Sequence, residues 1–183
     1  MELEVHNFDD YYQQSYSSPV FAALEKGLLQ PIDFFDGFRQ ETGLALSNQQ
    51  IETAWNAMLG HFRPQSLAIL PALKLQYRTY LFSNTNSIHY QYFVQYCQTS
   101  TGLLLNQQFH KAYYSHLFGQ RKPDAASYQF ILEENGLLPS ETLFIDDTLK
   151  NIEGAKAVGL QTLWLQANQM VEVELPKYLM ENE

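Results

Sequence analysis

The stretch that decides the fold is TLFIDDTLKNIEGAKAVGLQTLWL, residues 142–165. A short apolar run ends in two adjacent acids, Asp146 and Asp147. A helical pattern then opens over 149–159, and a second apolar run follows at 162–165. Strand, helix and strand in that order read as a unit with parallel strands. Two carboxylates side by side repel, and burying a carboxylate is costly unless something pairs with it. One explanation is a bound cation. The plainer one is a turn whose acids serve the next helix, because Asp is favoured at helix N-termini.

The same alternation extends upstream. TYLFSN (79–84) and KAYYSH (111–116) read as strands, and SIHYQYFVQYCQ (87–98) as a helix. PDAASYQFILEENG (123–136) opens with Pro and closes with Gly around a helical apolar face. The order β-α-β-α-β-α-β predicts an α/β fold, a parallel sheet with helices packed on its faces. PQSLAILPALKLQ (64–76) reads as an amphipathic helix distorted at Pro71.

Residues 1–62 carry helix signals instead. In SNQQIETAWNAML (47–59), Ser47 and Gln50 form a capping box, and Ile51, Trp55, Met58 and Leu59 share one face. PVFAALEKGLL (19–29) and PIDFFDGFRQETG (31–43) each begin with Pro, which suits a first helical turn, and Gly43 suits a helix end. Phe34, Phe35, Phe38 and Trp55 read as core packing before ligand contact. The composition shift near 60–66 is the candidate boundary. It gives a helical region 1–62, an α/β region 63–170 and an acidic, partly ordered tail 171–183.

Composition narrows the function. Hydrophobic residues make up 45% of the 183, enough for a real core. The net charge of −9, with no basic cluster longer than Arg121-Lys122, argues against nucleic acid. One cysteine, Cys97, allows no internal disulfide and fits a reducing compartment. MELEVHNFDD lacks the apolar centre of a signal peptide, and no apolar run reaches the ~18 residues of a membrane span. The expectation is a cytoplasmic protein without nucleic-acid or membrane partners, of unreadable oligomeric state.

Ligands of open parallel sheets sit at the carboxyl ends of the strands. Those ends carry Ser83-Asn84-Thr85-Asn86, then Arg121-Lys122-Pro123-Asp124, then Asp146-Asp147-Thr148. Brought together they would make one site. Ser83 offers a hydroxyl, with backbone N–H groups near it for a phosphate oxygen. Lys122 offers a point charge, and Asp146 and Asp147 offer hard oxygens for Mg²⁺. Asn151, one turn beyond, would add an amide oxygen or hold a carboxylate in place. Singly, Ser83 and Asn84 also read as turn residues, Lys122 as a solvated lysine and Asn151 as a surface residue. Their joint placement at strand ends favours the functional reading.

SNTNSIHY (83–90), RKPDAASYQFILEENGL (121–137) and residues 142–165 resemble the second, third and fourth motifs of the haloacid dehalogenase (HAD) superfamily. The likeness is to phosphatase-like members with a helical cap, and it covers roughly residues 15–166. It implies a Rossmann-like core, a small helical cap at 1–62, and a Mg²⁺-dependent phosphatase of a small phosphorylated metabolite. By resemblance Ser83 and Asn84 bind the phosphoryl group, and Lys122 orients the nucleophile and neutralises charge. Asp147, with Asp146 beside it, holds the metal. Asn86 and His89 are further candidates for the pocket, His89 reading more readily as a packing histidine.

The family's chemistry begins with an Asp-x-Asp at the end of a central strand, supplying a nucleophile and an acid/base. This chain has none: its aspartates are Asp9, Asp10, Asp33, Asp36, Asp124, Asp146 and Asp147. Asp9-Asp10 is a poor substitute, because adjacent strand residues point to opposite faces and ELEVHN is a poor buried strand. The first central strand is therefore expected to be missing. Truncation, a natural pseudoenzyme and replacement by another segment all explain this, and the intact later motifs favour truncation. The alternative to an enzyme is a HAD-like binding module without turnover. Dehalogenation ranks lower because it needs no metal. A phosphate-receiver domain is disfavoured because its acids come first in the chain and its lysine last.

Overall fold

The structure, a computed structural model, describes residues 19–181. In chain order the elements are α1 (Pro19–Glu25), α2 (Pro31–Thr42), α3 (Asn48–Asn56), α4 (Pro64–Ala68), α5 (Leu70–Gln76), β1 (Tyr80–Ser83), α6 (Ser87–Thr101), β2 (Lys111–Tyr114), α7 (Ser115–Phe118), α8 (Ala125–Glu134), β3 (Leu143–Asp146), α9 (Leu149–Ala157), β4 (Gln161–Trp164) and α10 (Val171–Glu181). The chain divides into two compact units. One takes residues up to Phe62 and Gln76–Gly119, the other Arg63–Leu75 and the chain from Gln120 onward.

In the first unit the local signals place the helices. Ser47 Oγ accepts from Gln50 N–H at 3.3 Å, while Ser47 N–H donates to Gln50 Oε1 at 2.9 Å, so the capping box starts α3. Pro31 opens α2, and Gly43 closes it at φ 68°, a left-handed turn that glycine adopts without steric cost. The helices bury Leu24, Phe34, Phe35, Ile51, Trp55 and Ile88 together, with Met58 and Phe38 packed against them. Rings meet at 4.9 Å between Phe34 and Trp55, and at 5.1 Å between Phe21 and Trp55. The aromatic seam is core. β1 and β2 pair in parallel, from Tyr80 opposite Lys111 to Ser83 opposite Tyr114.

In the second unit β3 and β4 pair in parallel, from Leu143 opposite Gln161 to Asp146 opposite Trp164, and α9 packs on both. The helix expected over 64–76 is two helices that break at Ile69. Pro71 has no N–H for a helical bond and sits in the first turn of α5, where none is needed. The helix expected from Pro123 begins at Ala125, and Pro123 follows a cis peptide bond. The tail, expected to be partly ordered, is helical over Val171–Glu181. It buries Leu175, and Glu172 accepts hydrogen bonds from Arg63 Nη2 at 2.9 Å and Ser66 Oγ at 2.8 Å.

The fold is α/β, with the predicted strand-helix alternation. Among the described residues the strands form two parallel pairs, one in each unit. No helix among them is long and apolar enough to cross a membrane.

Candidate active site

The candidate residues fall in both units. In the first, Ser83 ends β1, and the loop Ser83-Asn84-Thr85-Asn86 turns the chain into α6. Ser83 and Asn84 are half-buried. The loop is anchored through Thr85, whose N–H donates to Ser115 Oγ at 2.9 Å and whose carbonyl accepts from that hydroxyl at 2.9 Å. Thr85 and Ser115 are both buried. Ser115→Ala therefore strands a buried donor and acceptor at once. The expected cost is about 1–3 kcal/mol, read from the urea midpoint.

Asn86 is buried, and its Oδ1 accepts from the N–H of Ile88 at 3.1 Å and of His89 at 3.0 Å. Its amide oxygen thus caps α6. His89 stacks on Trp55 at 5.3 Å between centroids, and its Nε2 meets the Trp55 carbonyl at 3.0 Å. Burial lowers the His89 pKa below its ordinary 6.5, and burial also lowers that of His116. The unfolded chain then takes up protons first as pH falls. Stability is fully present above about pH 6.5 and is lost as the pH drops through the lowered values. The urea midpoint is expected to fall between pH 7.5 and pH 5, and less steeply in His89→Gln.

In the second unit the two acids part company. Asp146 is turned inward: its Oδ2 accepts from Lys122 Nζ at 2.7 Å, and its Oδ1 from Thr148 N–H at 2.8 Å and Asn151 Nδ2 at 3.0 Å. The Lys122 and Asp146 side chains are 11% and 7% exposed, so this is a buried ion pair. Lys122 Nζ also stands 5.6 Å from the centre of the Phe144 ring. Asn151 is itself fixed, its carbonyl accepting from Tyr128 Oη at 2.8 Å. Burial, Asp146 and Asp124 all push the Tyr128 hydroxyl pKa upward, so it stays a donor.

Asp147, one residue beyond the end of β3, is exposed. Thr148 Oγ1 donates to its Oδ1 at 3.3 Å, and Trp164 Nε1 donates to its main-chain oxygen at 3.0 Å. It lines a cleft of about 530 Å³ with Arg63, Ser66 and the loop from Leu165 to Val171. The described residues contain no group of three or more His, Cys, Asp or Glu side chains that would cage a metal. Mg²⁺ needs no such cage: it takes one or two carboxylates with water and substrate phosphate. The exposed Asp147 oxygens fit that habit, whereas both oxygens of Asp146 already accept hydrogen bonds.

The structure thus brings Lys122, Asp146 and Asn151 into one network with Asp147 beside it. It places Ser83, Asn84 and Asn86 on one loop. Asp9 and Asp10 lie outside the described residues. Residues 9–159 match the haloacid dehalogenase-like hydrolase family. The chain belongs to that family. The proteins it resembles include a D-ribitol-5-phosphate phosphatase of Bacteroides thetaiotaomicron, 28% identical across 88% of this chain and 79% of that protein. A sesquiterpene phosphatase of Aspergillus oryzae is 26% identical across 87% and 79%. A HAD family enzyme of Bacteroides thetaiotaomicron, crystallised with magnesium and inorganic phosphate, superposes with a TM-score of 0.80. It is 31% identical, over 89% of this chain and 82% of that one.

Sequence reasoning missed Ser115, Tyr128 and Thr148 as supports of the HAD motifs. Thr148 was legible in principle, since a residue two beyond an Asp commonly donates its N–H back to that side chain. Ser115 and Tyr128 act on residues 30 and 23 positions away, which no local pattern marks.

Proposed function

We propose that these residues serve a Mg²⁺-dependent phosphatase of a small phosphorylated metabolite in the form that carries the family's Asp-x-Asp. The observation that carries the reading is the Lys122–Asp146–Asn151 network beside the exposed Asp147. Such a network holds a cation and fixed acids in the order that family membership implies. In this reading Ser83 and Asn84 bind phosphoryl oxygens, and Lys122 offsets negative charge at the nucleophile and the phosphoryl group. Asp147, with Asp146 beside it, holds Mg²⁺, and Asn151 fixes Asp146. Asn86 shapes the phosphate loop by capping α6. Bound Mg²⁺ would neutralise charge building on the phosphoryl oxygens. Residues 1–62 act as the cap, 63–170 as the core and 171–183 as a C-terminal appendage, in a cytoplasmic protein. The ribitol phosphate relative makes a sugar-alcohol monophosphate the first natural substrate to assay.

The test uses p-nitrophenyl phosphate with Mg²⁺. The 183-residue chain is run beside one preceded by a strand ending in Asp-x-Asp. Turnover in the longer form alone, lost on chelation and in Asp147→Asn, is the expected result. Turnover by the 183-residue chain would overturn this account of the nucleophile and direct mutation to Asp9 and Asp10. A second reading, a HAD-like binding module without turnover, is favoured by the lack of Asp-x-Asp among the seven aspartates. It predicts binding of Mg²⁺ and phosphate by both forms and hydrolysis by neither.

A further inference from the structure

We propose that His89 is a positioning residue that ties the helical segment to the phosphate loop, holding the carbonyl of Trp55 with one ring nitrogen and the amide of Asn86 with the other. The inference rests on the reading that Ser83 and Asn84 bind phosphate. All the groups involved lie in the first unit.

The hydrogen-bond geometry admits one consistent assignment. Asn86 Oδ1 accepts from two main-chain N–H groups, so the Asn86 nitrogen, Nδ2, is the atom facing His89 Nδ1 at 3.3 Å. An amide nitrogen only donates, so Nδ1 must accept. The Trp55 carbonyl only accepts, so Nε2 must carry the proton it shares at 3.0 Å. The neutral imidazole protonated at Nε2 satisfies both partners. The imidazolium would set two donors face to face at Asn86.

The two tethered groups have separate tasks. Trp55 is the last-turn residue of α3 and sits in the aromatic core. Among the described residues its indole N–H meets no hydrogen-bond partner; its carbonyl is the polar tie that His89 grips, while its ring takes the stacking. Asn86 caps the 15-residue α6 and ends the loop that starts at Ser83. Releasing His89 from Asn86 frees the capping amide to rotate, and with it the loop. Releasing it from Trp55 frees the end of α3. A histidine that merely filled space would carry neither distinction.

The substitutions separate the two ties. His89→Asn retains a polar atom near Nδ1, His89→Gln one near Nε2, and His89→Phe retains only the ring. Amide hydrogen exchange of the 183-residue chain, followed by NMR, reads the capped N–H groups of Ile88 and residue 89. Isothermal titration with inorganic phosphate in Mg²⁺ reads the loop. In His89→Phe the two capped amides are expected to exchange roughly tenfold faster, and phosphate affinity to fall by a similar factor. His89→Asn is expected to restore both to within about threefold of wild type. His89→Gln is expected to leave the amides fast while restoring protection at the end of α3.

Equal protection in wild type and His89→Phe would overturn the proposal, as would equal rescue by Asn and Gln. If His89→Phe does not fold, the contrast between Asn and Gln still decides. If the wild-type chain binds no phosphate, the reading of Ser83 and Asn84 fails, and amide exchange alone settles the tether.

Discussion

Lys122→Met is expected to destabilise the second unit by about 3–5 kcal/mol, the usual cost of removing one partner from a buried ion pair. Methionine keeps the length of the stem and its place over Phe144 but removes the charge. Asp146 would remain 7% exposed, with two neutral donors and no cation. Those donors do not replace a cation, because in a buried site the penalty falls on the uncompensated charge itself. The double variant Lys122→Met with Asp146→Asn removes both charges and should recover much of the loss. A double-mutant cycle on urea midpoints measures the coupling. A loss below about 1 kcal/mol in the single variant would show the pair to be as solvated as a surface salt bridge. In the Asp-x-Asp-extended protein used to test the proposed function, the same variant is expected to abolish any turnover the extension confers.

The second large effect is expected at Gly154, in the middle of α9. A Cβ built there would stand 2.6 Å from the Pro123 carbonyl oxygen, 3.1 Å from Pro123 Cβ and 3.2 Å from Tyr128 Cε2. The nearest of these is main chain and cannot swing aside. Gly→Ala in a helix ordinarily gains roughly 0.5–1 kcal/mol. At Gly154 the sign should reverse, with a loss of about 1–3 kcal/mol from overpacking. Gly37 in α2 is the internal control, since among the described residues a Cβ there would meet Val20 Cγ1 alone, at an ordinary 3.6 Å. Urea denaturation of Gly154→Ala and Gly37→Ala should move the midpoint in opposite directions. Because Pro123 follows Lys122 directly, pushing it should also disturb the Lys122–Asp146 pair. On the proposed reading of Asp147 as a Mg²⁺ ligand, Mg²⁺ titration of Gly154→Ala would register that as weaker binding.

Much of this was legible because the signals are local. Ser47 and Gln50 announce their helix within four residues, and the caps form as read. The acid pair sits where a strand must hand over to a helix, and Asn151 lies one turn on, close enough to reach back to Asp146. Family membership followed from the same motifs. Contacts between distant residues were not legible. Nothing near Ser115 in sequence marks it as the anchor of Thr85, 30 residues earlier. Glu172 meets Arg63 and Ser66 across more than 100 residues, so the tail read as partly ordered, whereas Val171–Glu181 is a pinned helix. The alternation of strands and helices gave parallel pairing, but side-chain patterns alone do not say which strands complete a sheet.

The indole of Trp164 donates to the main-chain oxygen of Asp147. The chain has two tryptophans, and the other, Trp55, is 6% exposed and stacked on His89. The protein therefore carries two intrinsic optical probes in different surroundings. Trp164, 39% exposed, should emit toward the red and respond when a cation settles on Asp147, whereas Trp55 should emit toward the blue and respond to His89. Trp55→Phe and Trp164→Phe would assign the two signals, so that each unit could be followed by fluorescence without an added label.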